Sequence, residues 1–77
     1  MYIFTACVSD PNFETWKRID AVVKGYRSIT HPRCSYEDMF EWATNHFEFT
    51  RMFRNDKSYI QYEFTEEEWI IFKLKWL

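Results

Sequence analysis

The stretch Phe47 to Phe64, FEFTRMFRNDKSYIQYEF, alternates apolar and polar residues on either side of the turn-forming pair Asn55-Asp56, the pattern of a β-hairpin. Folding it on Asn55-Asp56, or on the four residues Arg54 to Lys57, sets Phe53 opposite Ser58, Arg51 opposite Ile60, Phe49 opposite Tyr62 and Phe47 opposite Phe64. That register collects Phe47, Phe49, Phe53, Ile60, Tyr62 and Phe64 on one face, with Arg51 as the misfit. Glu48, Thr50, Met52, Arg54, Tyr59, Gln61 and Glu63 fall on the other, mixed and solvent-facing. A loop one residue longer or shorter would set the apolar row against Glu, Gln and Lys, so the pattern selects an even-numbered loop.

Seventy-seven residues make one small domain. A chain of this length buries only roughly 60 to 65% of its unfolded surface, which leaves stability marginal. The aromatic fraction of 22% offsets this, because each ring removes a large area from water. With 47% apolar and 29% charged residues and a single glycine, the composition is that of a compact globular chain rather than a disordered one. The net charge of −2 argues against sequence-independent nucleic-acid binding, which needs a basic surface. Met1 to Val8 is apolar but too short for an export signal and has no basic region before it. Trp69 to Phe72 is the longest other apolar run, far below the roughly 20 residues that span a bilayer. The expectation is a cytoplasmic chain without membrane contact, with Cys7 and Cys34 as reduced thiols.

Tyr2 to Val8 carries no charge on either alternating set, which suits a strand inside the sheet, covered on both faces. Asp10-Pro11 starts a helix, with Asp10 as cap and Pro11 in the first helical position. It runs to about Lys24, turning Trp16, Ile19, Val22, Val23 and Tyr26 inward, and Gly25 stands where a left-handed terminating residue is wanted. Arg27 to Cys34 reads as a connecting loop around Pro32. Ser35 and Asp38 form a capping box for a second helix to about Asn45, with Tyr36, Met39, Phe40, Ala43 and His46 inward and Trp42 at the margin. After the hairpin two signals compete. Thr65-Glu66-Glu67-Glu68 is a capping box, yet Ile70, Phe72, Leu74 and Trp76 alternate with their neighbours as a strand would. The alternation favours a C-terminal strand that completes a three-stranded meander, with a C-terminal helix as the alternative. The fold class is α+β: an N-terminal strand, two amphipathic helices, then an antiparallel hairpin extended by a C-terminal strand, with the helices on one face of the sheet.

No motif specifies a reaction. Cys7, His31, Cys34 and His46 are zinc-ligand types, but only His31 and Cys34 are close in sequence, where a structural site shows two close pairs, so no metal site is assigned. A cysteine nucleophile built from Cys34 with His31 or His46 lacks an orienting group and an oxyanion pocket, and no glycine-rich phosphate loop exists, so no catalytic residue or cofactor is assigned. Two surfaces remain. In the hairpin register Glu48 stands directly opposite Glu63, a repulsion that a partner's positive charge would relieve, and Glu66 and Glu67 follow at the next turn. With Glu41, Trp42 and Tyr59 they make an acidic, aromatic surface suited to a basic groove on a larger protein, such as the nucleic-acid channel of an enzyme. The second surface is basic: residues 9 to 34 carry Lys17, Arg18, Lys24, Arg27 and Arg33 against Asp10, Glu14 and Asp20, a candidate phosphate-contacting patch.

The expectation is therefore a small non-enzymatic protein-binding module, an inhibitor or adaptor that occupies a surface of a larger partner. Small acidic proteins of this kind are common among phage-encoded host-takeover and anti-defence factors. The competing expectation is a nucleic-acid-binding domain using the first helix and the loop after it.

Overall fold

The computed structural model describes residues 1–30, 33 and 35–77. The chain runs β1 (Tyr2–Thr5), α1 (Phe13–Thr30), α2 (Tyr36–Phe47), β2 (Arg51–Arg54), β3 (Ile60–Phe64) and α3 (Glu66–Trp76). The strands form an antiparallel sheet in the order β1-β3-β2, so the fold is α+β, as the pattern of elements predicts. All three helices lie against one face of the sheet: α1 through Trp16 on Tyr62, α2 along β2, and α3 through Trp69 and Phe72 on Phe64.

The register differs from the one the alternating pattern selects. Arg51 faces Glu63, Met52 faces Tyr62, Phe53 faces Gln61 and Arg54 faces Ile60. The turn is built on Asn55, whose side-chain oxygen accepts the Lys57 and Tyr59 amides, both at 3.0 Å. Ser58 donates its amide to the Asn55 carbonyl and adopts a left-handed conformation at φ 65°. Asn55 and Tyr59 close the ladder, which leaves the three residues Asp56, Lys57 and Ser58 in the turn, an odd number. The faces of β2 are accordingly inverted. Met52 points into the core, while Arg51 and Phe53 lie on the opposite face. Phe47 and Phe49 misled the pattern because neither belongs to a strand: Phe47 ends α2, and Glu48 then turns through φ 59° to bring Phe49 back inside. Gln61 and Glu63 do face outward, as expected for β3.

β1 was expected inside the sheet. It is an edge strand of four residues, with Tyr2 and Ile3 exposed and Phe4 buried. It occupies the edge of β3 that a C-terminal strand would have needed, and β2 holds the other, so residues 66 to 76 form a helix. The expected C-terminal strand gives way to its alternative. The local chemistry agrees: Thr65 Oγ1 accepts the Glu68 amide at 3.1 Å, and the Glu68 carboxylate accepts the Thr65 amide at 2.8 Å. α3 then buries Trp69 and Phe72 and packs a half-buried Trp76 beside them, at i, i+3 and i+7.

α1 begins at Phe13 rather than Pro11, because the Asp10 carboxylate caps the preceding turn by accepting the Asn12 amide at 2.7 Å. It continues through Gly25 to Thr30, and Gly25 keeps ordinary helical geometry, so it terminates nothing. α2 starts where Ser35 and Asp38 predict, with the Ser35 hydroxyl accepting the Asp38 amide at 3.2 Å. It buries Met39, Ala43 and Phe47, whereas Tyr36 and His46, expected inside, are exposed.

The core is a continuous set of rings and aliphatic or thioether side chains: Phe4, Ile19, Val23, Met39, Ala43, Phe47, Phe49, Met52, Tyr62, Phe64, Trp69 and Phe72. Phe64 sits at its centre, within 6 Å of the rings of Phe4, Phe49, Trp69 and Phe72. Tyr62 carries the one phenol in the core, and its hydroxyl donates to Asp20 of α1 at 2.9 Å. Burial, with the Asp20 charge and this hydrogen bond behind it, pushes the Tyr62 phenol far above its ordinary pKa.

Candidate interaction surface

Among the described residues, three surfaces stay open once the core is closed. The first is the back of the sheet, where Ile3, Glu63 and Arg51 form one cross-strand row and Thr5, Gln61 and Phe53 the next. Its centre is polar and internally satisfied: Arg51 bridges Glu63 at 3.4 Å and stacks on Phe53, with the guanidinium carbon 3.8 Å from the ring centroid. The second lies where the three helices converge. Tyr26 of α1, Trp42 and His46 of α2 and Trp76 of α3 touch in a chain of rings, with centroids 5.0 Å apart for Trp42–His46 and for Tyr26–Trp76 and 5.7 Å for His46–Trp76. This cluster rests on Phe47 but is not sealed: Tyr26 and His46 are exposed and both tryptophans half-buried. The third is the outer face of α3.

The acidic, aromatic surface read from the sequence does not assemble as one face. Glu63 stands opposite Arg51 and not Glu48, so the like-charge pair that motivated the surface is replaced by an ion pair. Glu48 caps α2 in a left-handed conformation and pairs with Lys75 at 3.7 Å, beside Trp76. Trp42 joins the ring cluster, and Glu41 is exposed one residue before it on α2. Glu66 and Glu67 are exposed in the first turn of α3, about 15 Å of helix away from Lys75 and Trp76. Tyr59 lies at the hairpin turn. The structure therefore brings Trp42 and Glu48 to the same end of the helical layer and sends Tyr59, Glu63, Glu66 and Glu67 elsewhere. Tyr26, His46 and Trp76 complete the ring cluster. Their convergence depends on how three helices pack, which no local spacing encodes.

The basic candidates are partly neutralised within α1. Lys17 pairs with Glu14 at 3.7 Å and Lys24 with Asp20 at 3.2 Å, while Arg18 and Arg33 are exposed and Arg27 is half-buried. His31 and Cys34 lie outside the described residues, as does any pairing of Cys34 with Cys7. Among the described residues, no group of three or more His, Cys, Asp or Glu side chains could hold a metal ion, and no pocket opens. The Ser9 hydroxyl, 3.0 Å from the Cys7 sulfur, and the Ser9 amide hold that thiol below its ordinary pKa, whereas His46 keeps its contacts in the ring cluster. No helix among the described residues is long and apolar enough to cross a membrane. No protein-family model matches the chain, and the comparisons with curated proteins and with solved structures give no match either.

Proposed function

We propose that this chain is a small non-enzymatic protein-binding module, an inhibitor or adaptor that acts in the cytoplasm by occupying a surface of a larger partner. A phage-encoded host-takeover or anti-defence factor is the setting that its size and acidity fit. The observation that carries the reading is the ring cluster of Tyr26, Trp42, His46 and Trp76. These are large, rigid side chains left half-open at the helical junction of a domain whose core is otherwise closed. Such rings lose little conformational freedom on binding and are the side chains that most often dominate interface energetics. The acidic residues Glu37, Asp38 and Glu41 on α2 favour a partner groove that is apolar at its centre and basic at its rim.

The test is affinity capture on the immobilised chain from a lysate of its native host, after nuclease treatment and at low and high salt. Wild type is compared with a Trp42→Ala, Trp76→Ala double variant shown to be folded by circular dichroism. A partner protein held after nuclease treatment, retained in part at high salt and lost with the double variant, is the expected result. Capture abolished by nuclease and falling steeply with salt would support a nucleic-acid-binding domain built on Arg18 and its neighbours instead. Equal capture by both proteins would remove the ring cluster from the account.

A further inference from the structure

The two edges of the sheet differ in what stands beside them. The Glu63 carbonyl accepts the Thr50 amide and the Tyr59 carbonyl accepts the Asn55 amide, both at 2.9 Å, so the peptide groups of Gln61 and Glu63 face β2 and those of Tyr62 and Phe64 face β1. Tyr2 and Phe4 therefore carry the ladder on β1, and the N–H and C=O groups of Ile3 and Thr5 point away from the sheet. On the far side Met52 and Arg54 hold the same outward positions in β2, where Arg51 and Arg54 place exposed charge beside the edge. The sequence of β1, Tyr-Ile-Phe-Thr, carries no charge that could do this, and Tyr2 and Ile3 are each 42% exposed.

The chain after β1 turns back along this uncharged edge. Asp10 donates its amide to the Cys7 carbonyl at 2.9 Å, which closes the turn. The Thr5 hydroxyl then donates to the Asp10 carboxylate, and the Asn12 side-chain amide donates to the outward-pointing Ile3 carbonyl at 3.1 Å. With Asp10 beside Thr5 and Asn12 beside Ile3, residues 10 to 12 run antiparallel to β1 on its outer side. An added strand would need that same space, about 4.8 Å from β1. Pro11, between the two contacts, has no N–H with which to pass a ladder outward.

We propose that residues 10 to 12 are a strap that closes the β1 edge, with the Thr5–Asp10 and Asn12–Ile3 hydrogen bonds as its two fastenings, and that the strand it excludes is β1 of a second copy of this chain. Once the strap is released, an antiparallel copy set with Ile3 opposite Thr5 engages all four outward N–H and C=O groups of each strand, and no like charges meet because β1 has none. The strap is anchored at the start of α1, where the Asp10 carboxylate also accepts the Asn12 amide at 2.7 Å. It lies apart from the ring cluster and does not depend on the function proposed above.

Thr5→Val combined with Asn12→Ala removes both fastenings and leaves the Asp10 cap in place. Sedimentation equilibrium across the micromolar range compares this full-length double variant with wild type and with Thr5→Val alone, each checked by circular dichroism. The average mass of the double variant should rise from 9.6 kDa toward twice that value, at concentrations where wild type and Thr5→Val, which keeps the Asn12 fastening, show no such rise. Ile3→Lys added to the double variant should reverse the rise, because it sets two like charges within about 8 Å across the joint while Tyr2 and Phe4 still hold β3. Should the double variant lose its circular-dichroism spectrum, Asn12→Ala alone, at an exposed side chain, carries the same comparison. An opened variant that keeps the wild-type mass throughout, a Thr5→Val protein that associates as strongly as the double variant, or an association that Ile3→Lys leaves unchanged would each overturn the proposal.

Discussion

Replacing Tyr62 by Phe removes one oxygen atom from the centre of the core and leaves the ring in place against Trp16 and Phe49. The lost contact is the hydrogen bond to Asp20 at 2.9 Å. Hydrogen bonds to charged groups contribute about 1.5 to 3 kcal/mol, and Asp20 keeps its bridge to Lys24 at 3.2 Å, so the cost should be about 2 kcal/mol near neutral pH. For a domain of this size that is a fall of about 8 to 16 °C in Tm. The same hydroxyl sets a pH dependence. The native Tyr62 holds its proton far above the ordinary value of 10.0, so its contribution is fully present below pH 10 and is lost as pH rises. Above that value the unfolded chain releases a proton that the native state retains, and stability falls by about 1.4 kcal/mol per pH unit. Other titrations are common to both proteins and cancel in the difference. The wild-type advantage, measured by urea unfolding monitored by circular dichroism, should therefore be about 2 kcal/mol at pH 8 and close to zero by about pH 11.5. A difference below about 0.5 kcal/mol at pH 8, or one that stays constant through pH 11.5, would refute the reasoning.

Two further substitutions probe the corrected elements. Gly25→Ala should stabilise the protein by about 0.5 to 1 kcal/mol in thermal unfolding, because Gly25 lies in a continuous helix and its new Cβ would meet nothing within 4 Å beyond its chain neighbours and the helix's own backbone; a loss of stability would mean that a helix end at Gly25 is correct after all. Glu68 is partly desolvated, which opposes ionisation, but the Thr50 hydroxyl and the Thr65 amide and hydroxyl outweigh this and hold its carboxyl below the usual range. A depressed folded-state pKa gives stability that is present above the unfolded value and is lost as pH falls through the folded one. Glu68→Gln should therefore lower stability at pH 7 and flatten the acid limb below about pH 4.5, and an unchanged acid limb in pH-dependent denaturation would count against the cap.

What the sequence determined was the chemistry of short range. Ser35 as the cap of α2, Thr65 with Glu68 and Asn55 at the turn all do in the structure what their side chains can do within a few residues, although of the Ser35/Asp38 box only the Ser35 half forms. Of the inward set of α1, Ile19 and Val23 with Trp16 and Val22 beside them lie where spacing alone puts them, whereas Tyr26, expected inside, is exposed. Tertiary structure decided where two local signals disagreed. Residues 66 to 76 carried both a strand alternation and a helix cap, and the helix won because β1 and β2 already occupied both edges of β3. The face of β2 was decided in the same way. Phe47 and Phe49 looked like strand residues until the left-handed Glu48 separated them from it, after which Met52 filled the core and Arg51 found Glu63. The candidate site shows the same division. Glu41, Trp42 and Glu48 could be read one by one as exposed or surplus residues, but the junction that gathers Trp42, His46, Tyr26 and Trp76 exists only once three helices share one side of the sheet. Periodicity and capping act over single turns and strands, whereas edge occupancy and ring packing are properties of the whole assembled chain.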